Sequence, residues 1–538
     1  MAEAKQDDAQ EHSRRMIGNV SVLAGATMVS RTLGYVRDAL IAGVMGAGSG
    51  ADAFFVAFQL PNLLRRLLSE GTLTLAFVPV FSWLRSEGGQ ERAFAMARST
   101  MIWLLLLSGT LCAAGMLFAP TVILLLAPGF ADQAAQRELT SGLLRICLPG
   151  VVCIGCTALS MGVLNSLNHF LAPALAPCLL NIILTGACGL IWLTGWNPAL
   201  ALSWAVLVAS VAQWLAQQPA LAARGFSWRG AWSLGDKGVR RLATLMPPAI
   251  FGAAVHQLCT ALATLLATLL PGGSVSYLYY ADRLVQFPLG IFGVAIGVAA
   301  LPGLSALASE GRLGDYEATL GTALRLTLCI TLPATAGLLA LSKPVVALLF
   351  GHGAFGPEAV SATAAALNAF ALGLPAFALV RPLVSASYAR QDTRMPVLMA
   401  IGSLALYPLA ALALRTPLGH VGLAAATSLC SWVNVLGLWF FLRRRLKAAG
   451  GGSNQGVFRV AVLCGALSVA LGLAAWAGCR LLPWQDGLWA VALIPLWIAL
   501  YLYVARRLGL DEACLLLEML RRKNRKSRSL PETAPGRG

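Results

Sequence analysis

Residues 30–88 read SRTLGYVRDALIAGVMGAGSGADAFFVAFQLPNLLRRLLSEGTLTLAFVPVFSWLRSEG. The stretch fits two long apolar helices joined by a small-residue turn at Gly46–Ala51. Those helices also carry Arg31, Arg37, Arg65 and Arg66, together with Asp38, Asp52 and Glu70. A charged side chain near the middle of a membrane-spanning helix costs about 2.5–3.5 kcal/mol on insertion scales. Four arginines on two adjacent spans are therefore poor lipid-facing decoration; they face a wet cavity or pair inside a helix bundle. The three acids leave one arginine unmatched, and Arg283 in a later apolar segment adds another. Surplus guanidinium suits an anionic ligand, above all phosphate, whose oxygens match the planar fork of donors. For any one arginine the competing reading is a buried structural network. Arg66 is the structural member of the set, because neighbours on a helix point about 100° apart and Arg65 and Arg66 cannot both face one cavity.

Composition extends this to the whole chain. Of 538 residues, 58% are hydrophobic and only 12% charged, where soluble chains carry about 25%. The fold class is therefore an all-α polytopic membrane protein. Apolar runs place fourteen transmembrane helices near 17–45, 52–84, 93–127, 138–166, 170–195, 199–222, 241–270, 277–307, 316–350, 358–388, 395–415, 420–442, 457–482 and 487–506. Prolines at 61, 79, 149, 302, 333 and 375 fall inside spans and predict kinks. The first apolar run is long, interrupted by arginines and without a small-residue cleavage site, so it is a retained helix and not a signal peptide.

The net charge of +17 does not point to nucleic acid. Lysine and arginine gather in alternate loops, around Arg14, Arg85, Arg229, Arg312, Arg394 and Arg443, whereas the intervening loops hold only Arg137, Arg415 and Arg480. By the positive-inside rule both termini are cytoplasmic. The basic tail from Arg506 suits an anionic lipid leaflet, and the Trp- and Arg-containing segment 225–241 suits the cytoplasmic interface.

An internal echo organises the helices. Residues 77–88, FVPVFSWLRSEG, and 300–311, ALPGLSALASEG, share Pro, Ser, Leu, Ser, Glu and Gly at an offset of 223. Six spans apart in one orientation means two six-helix lobes in parallel repeat. The plan is a cytoplasmic N-terminal tail (1–16), an N-terminal lobe (17–223, spans 1–6), a cytoplasmic interfacial linker (224–240) and a C-terminal lobe (241–447, spans 7–12). Two extra C-terminal helices (448–508) and a basic cytoplasmic tail (509–538) complete it.

Enzyme chemistry has no foothold. Gly-Lys occurs nowhere, so there is no P-loop, and neither HExxH nor GxSxG is present. The cysteines show no Cys/His pattern; Cys153 and Cys156, the one CxxC spacing, lie one turn apart in an apolar run with no third ligand nearby, so no metal is expected. A second charged site, YLYYADRLVQFPLG at 277–290, offers Asp282 and Arg283 beside Tyr277, Tyr279 and Tyr280 at the interface. Arg283 is either a third arm of the anion site or a partner within the bundle. Arg145, Arg325, Lys343 and Arg381 are secondary basic residues.

The block SRTLGYVRDALIAG…ADAFFVAFQLPNLLRRLLSEG, with YYADRLVQFPLGIFGVAIGVAALP and SASYARQDTRMPV, closely resembles the MurJ (MviN) lipid II flippases of the multidrug/oligosaccharidyl-lipid/polysaccharide exporter superfamily. The resemblance covers spans 1–12 and extends to the fourteen-span count. It implies a flippase of the bacterial cytoplasmic (inner) membrane that moves lipid II to the periplasmic leaflet for peptidoglycan biosynthesis and cell shape. It also implies substrate binding by Arg31, Arg37, Arg65 and Arg283 on a cationic central cavity, with gating or ion-pair roles beside them for Asp52 and Glu70; Asp38 and Asp282, adjacent in sequence to Arg37 and Arg283, are the further gating or ion-pair candidates. No cofactor is implied, and the drive is the membrane potential or an ion gradient. Some relatives place a sodium site in the C-terminal lobe with an acid in helix 7, but span 7 here has no Asp or Glu. Partners are lipid II, membrane lipids at the tail, and cell-wall synthesis or division proteins. The alternatives are export of another polyprenyl-linked glycan or amphipathic drug, or a non-transporting division scaffold.

Overall fold

A computed structural model describes residues 25–69, 72–290, 294–450, 456–481, 494–512 and 514. The N-terminal tail 1–16, Glu70 and most of the basic tail 509–538 lie outside them. The described residues are helical apart from short turns, without a strand. Eight helices among them are long and apolar enough to cross a membrane. Their apolar side chains often face outward: Trp192 and Leu193 are 86% and 87% exposed, as a helix surface solvated by lipid requires.

In chain order the helices are α1 (25–45), α2 (Ser49–Ser69), α3 (Thr72–Leu117), α4 (Ala119–Leu126), α5 (Ala134–Cys147), α6 (Pro149–Ser166), α7 (Leu171–Thr194), α8 (Pro198–Leu215) and α9 (Gln218–Ala222). They continue with α10 (Lys237–Thr268), α11 (Ser274–Pro288), α12 (Val294–Ser309), α13 (Leu313–Phe350), α14 (Pro357–Ala371), α15 (Leu374–Ala389), α16 (Arg394–Ala448), α17 (Val457–Leu481) and α18 (Ile494–Arg507). Two long elements are each a pair of helices. The backbone leaves helical geometry inside α3 at Gly89, φ 75°, and inside α16 at Gly419, φ 56°. Positive φ is open to glycine and strained for other residues, so these two positions set the turns. The turn after α1 is tighter than the sequence suggests: Gly46 has φ 66°, and α2 already begins at Ser49. Pro61, Pro79, Pro302 and Pro333 do lie within helices. Pro149 and Pro375 instead stand in the first turns of new helices, where the missing N–H has no intrahelical partner to lose.

The chain forms two compact units, residues 1–279 with 349–360, and residues 280–348 with 361–538. In the first, α3 packs most extensively on α6, around Phe77, Phe81, Phe94, Met96, Leu159 and Val163. The segment 224–240 is strapped onto α3 more firmly than an interfacial ribbon would be. Phe226 is buried in the same core, and Arg98 donates to Ser227 O at 2.8 Å and Ala231 O at 3.2 Å. Asp236 then caps α10, accepting from Gly238 N–H at 2.7 Å while pairing with Arg92 at 2.5 Å.

In the second unit α12 packs on α15, and α15 on α16, around Leu304, Tyr316, Leu320, Leu383, Leu438 and Leu442. Helices α17 and α18 join it through Val460, Cys464, Tyr501 and Ala505, which bury Cys329 of α13. Arg325 of α13 pairs with Glu512, just beyond α18, at 2.5 Å.

The two units share internal detail. After α6, Asn168 adopts φ 57°; after α15, Gln391 adopts φ 58°. These residues are 223 apart, the offset of the repeated sequence. In the first turn His169 N–H donates to Leu164 O at 2.9 Å, and in the second Asp392 N–H donates to Ser387 O at 3.0 Å. An arginine from downstream reaches each turn, Arg224 to His169 and Arg445 to Asp392.

Candidate functional site

The arginines of the first unit have different surroundings. Arg37, on α1, is only 6% exposed. Its Nε and Nη2 donate to Asp38 Oδ1 at 2.9 and 2.6 Å, and its Nη1 donates to Asn181 Oδ1 of α7 at 2.9 Å. The amide is fixed in turn, since Asn181 Nδ2 donates to Ser30 O at 2.8 Å. Gly34 lies beside this amide, and a Cβ there would stand in ordinary van der Waals contact with it at 3.7 Å. Asp38, 2% exposed, also faces the Tyr279 hydroxyl at 3.5 Å. Three of the five guanidinium N–H groups are thus engaged, and two remain for another acceptor.

Arg31 lies on the same helix six residues earlier, about 9 Å along its axis. It is half-buried and has no hydrogen-bonding or ionic partner among the described residues. Arg65, near the end of α2, is half-buried and donates from Nη2 to Asn62 Oδ1 at 2.9 Å. Arg66 is half-buried in the same turn. Arg283 and Asp282 belong to the second unit, both half-buried, and Asp282 accepts from Gln286 Nε2 at 3.4 Å.

Asp52 does something the sequence does not suggest. It is 3% exposed and makes no ion pair with an arginine among the described residues. Its oxygens accept from Gly273 N–H at 2.6 Å, Ser276 N–H at 2.8 Å and Ser276 Oγ at 2.5 Å. A carboxylate is thereby set on the unsatisfied amides that open α11, where the helix dipole favours negative charge. Asp52 thus ties α2 to the start of the helix that carries Asp282 and Arg283.

The tyrosines differ from an interfacial trio. Tyr280 is fully buried, and Tyr279 stacks on Phe55 with ring centroids 3.9 Å apart. Of the secondary basic residues, Arg325 is paired as above and Arg145 donates to Met116 O at 3.2 Å, whereas Lys343 and Arg381 are exposed. Sequence reasoning passed over Asn181 and Ser276. The one signal for Asn181 was a lone amide in the apolar run LAPALAPCLLNIILTG. Nothing local marks Ser276, which is 224 residues from its partner. Among the described residues no cluster of His, Cys, Asp and Glu is placed to hold a metal ion.

This architecture has known counterparts. An inward-facing multidrug resistance MATE family transporter of the MOP superfamily superposes with a TM-score of 0.68 at 14% identity, covering 80% of this chain and 98% of that one. The fold is that of the MOP-superfamily transporters. A structure of the lipid II flippase MurJ in an inward closed conformation superposes with a TM-score of 0.77 at 25% identity, covering 91% of this chain and 99% of that one. The family profile "Lipid II flippase MurJ" matches residues 41–499. A probable lipid II flippase MurJ of Vibrio cholerae is 34% identical over 515 residues, 92% of this chain and 97% of its own length. The lipid II flippase MurJ of Burkholderia cenocepacia is 35% identical over 430 residues, 79% and 83% of the two chains. The chain belongs to the MurJ lipid II flippase family. It is accordingly a multi-pass membrane protein of a bacterial transporter family and not an enzyme.

Proposed function

We propose that the chain moves lipid II, the undecaprenyl-pyrophosphate-linked peptidoglycan precursor, from the cytoplasmic to the periplasmic leaflet by alternating access. The family match across residues 41–499 carries the reading. The physical task is to take a bulky dianionic headgroup through about 30 Å of hydrocarbon, which demands cations held at depth. Arg31, Arg37 and Arg65, with Arg283, take the pyrophosphate. Arg37 is held ready by Asp38 and Asn181, with two N–H groups to give. A phosphate oxygen then competes with Asp38 for the guanidinium, and loss of the substrate restores the pair. Glu70 and Asp282 are further ion-pair partners of the set. Asp52 acts through position, by holding the start of α11.

Fourteen spans, with both termini in the cytoplasm of a bacterial inner membrane, complete the proposal. The lobes follow the sequence repeat, 17–223 and 241–447, joined by the linker 224–240. The matched turns at Asn168 and Gln391, and the matched packing of α3 on α6 and α12 on α15, support that plan. Helix α10 opens the second lobe by sequence although its contacts are made in the first unit. The extra spans 448–508 take the polyprenyl tail, and the tail 509–538 lies on the anionic leaflet. Membrane potential is sufficient drive in sign and size: one charge across 100 mV is worth about 2.3 kcal/mol, pulling the anionic substrate outward and the empty cationic site back.

Labelling of lipid II by a membrane-impermeant reagent tests the function. Inactivating the protein in cells abolishes external labelling while precursor accumulates inside and the cells lyse. Unchanged labelling rejects the proposal and leaves a drug or other glycan exporter, or a division scaffold.

A further inference from the structure

The turn that ends α15 encloses a polar cavity that none of the preceding roles uses. Arg390 closes the helix, Gln391 takes the left-handed conformation, and N–H groups of Gln391 and Asp392 return to Tyr388 O and Ser387 O at 2.8 and 3.0 Å. This pairing is a standard helix stop and leaves the backbone satisfied. Asp392 is also fully engaged. One oxygen accepts from Met395 N–H at 3.2 Å and the other pairs with Arg445. Between them lies a cavity of about 110 Å³ lined by Ser387, Arg390, Asp392, Leu442 and Arg445. The Ser387 hydroxyl already donates to Leu383 O.

Arg390 is the anomaly. Its Nη1 is sealed from solvent with no hydrogen-bond partner, and its guanidinium meets no acceptor among the described residues. The helix stop does not need this cation, for the matching turn of the first unit has Leu167 in its place. Two arginines and one committed carboxylate leave a net positive hollow. We propose that it binds a phosphate group, supplied by the headgroup of an anionic phospholipid. Paired guanidinium donors match phosphate oxygens. The lipid source follows from the setting: Leu442 gives the cavity an apolar wall, and exposed Arg444, Arg445 and Lys447 crowd the end of the same helix. A cationic collar at the end of a spanning helix sits at headgroup depth. The site is independent of the transported substrate.

The test is native mass spectrometry of the full-length chain, delipidated in detergent and then given phosphatidylglycerol or a phosphate-free neutral glycolipid. Affinity for phosphatidylglycerol falls about tenfold in Arg390→Gln and less in Arg390→Lys. Glycolipid retention, and phosphatidylglycerol binding after Arg459→Gln at an exposed position of α17, are unmoved. Wild-type affinity in both Arg390→Gln and Arg445→Gln overturns the site. If neither variant folds, the wild type decides, because equal affinity for the two lipids overturns it as well. Inorganic phosphate binding at least as tightly as the lipid overturns the headgroup assignment, and binding tenfold weaker supports it.

Discussion

Arg37 has two candidate roles, counter-ion to Asp38 and ligand to pyrophosphate, and a double-mutant cycle separates them. Replacing Arg37 by Met strips a carboxylate that is 2% exposed of its guanidinium; replacing Asp38 by Leu leaves a guanidinium that is 6% exposed with only the Asn181 amide. Breaking a buried pair from one side costs about 3–5 kcal/mol, whereas removing both charges together is often neutral or stabilising by about 1–4 kcal/mol. The singles therefore insert poorly and melt early, and Arg37→Met/Asp38→Leu recovers, with a coupling energy of several kcal/mol. Transport follows a different pattern. External labelling of lipid II stays lost in the double variant, because no guanidinium remains at 37 to meet the pyrophosphate. The readouts are melting of purified protein in detergent and external labelling in depleted cells carrying each variant. A double variant that regains both stability and labelling refutes the ligand role and reduces Arg37 to a counter-ion.

Three further outcomes follow from the geometry. Asp52→Ala leaves the buried amides of Gly273 and Ser276 without acceptors and destabilises the protein by about 2–4 kcal/mol; Asp52→Asn loses less, and Ser276→Ala about 1 kcal/mol, all read from melting curves. Gly353 has φ 60° and lies against the backbone of Gly43, whose carbonyl accepts from Ala354 N–H at 2.8 Å. Gly353→Ala therefore costs about 2 kcal/mol or more, whereas Gly356→Ala, with open space around it, is neutral in the same melts. Burial, and then the charge of Arg224, hold the His169 imidazole below its usual range, and Arg224 Nη2 lies 3.0 Å from Nδ1. Because the folded pKa is lowered, the contribution of this contact is complete above the unfolded value of about 6.5. It is lost as pH falls, so His169→Gln flattens the acid limb of the melting-temperature profile below about pH 6.5.

How much was legible follows the range of each interaction. The break between spans 2 and 3 was readable from SEGG, and Gly89 supplies it; the break between spans 11 and 12 was readable from the interruption around Pro417 and Gly419. Both are local, set by one residue's conformational freedom. The internal echo was also legible, and the paired turns at Asn168 and Gln391 lie at the same offset. Side-chain partners were not legible. Arg37 finds its acid at the next residue, although neighbours on a helix diverge by about 100°; the long arginine stem folds back to reach it. Asn181 is 144 positions away and Ser276 lies 224 positions from Asp52. No periodicity encodes such distances. Pro149 and Pro375 misled because a proline inside an apolar run reads as a kink whether it bends one helix or begins another.

Charge counting within residues 30–88 needs revision on the same ground. Setting three acids against four arginines leaves a single surplus cation, provided each acid neutralises one base. Asp52 does not: both its oxygens lie on the opening amides of α11 and the Ser276 hydroxyl. Its negative charge answers a helix dipole, so the arginines lose one of their three counter-ions. Of the two that remain by sequence, Asp38 pairs with Arg37 at 2.6 Å and also faces the Tyr279 hydroxyl. The positive excess held in this stretch is therefore larger than a residue tally gives, and an isolated excess at membrane depth is costly. On the function proposed above, a dianionic headgroup removes that cost on arrival and restores it on departure. The empty state is then the one under electrostatic stress, which favours capture of the next substrate. Asp52→Asn checks the point: because the charge at 52 faces the helix and not the arginines, neutralising it weakens stability while leaving substrate affinity, per folded molecule, within about twofold. A large change in affinity would mean that Asp52 does share charge with the arginines, and the count would revert to a single surplus cation.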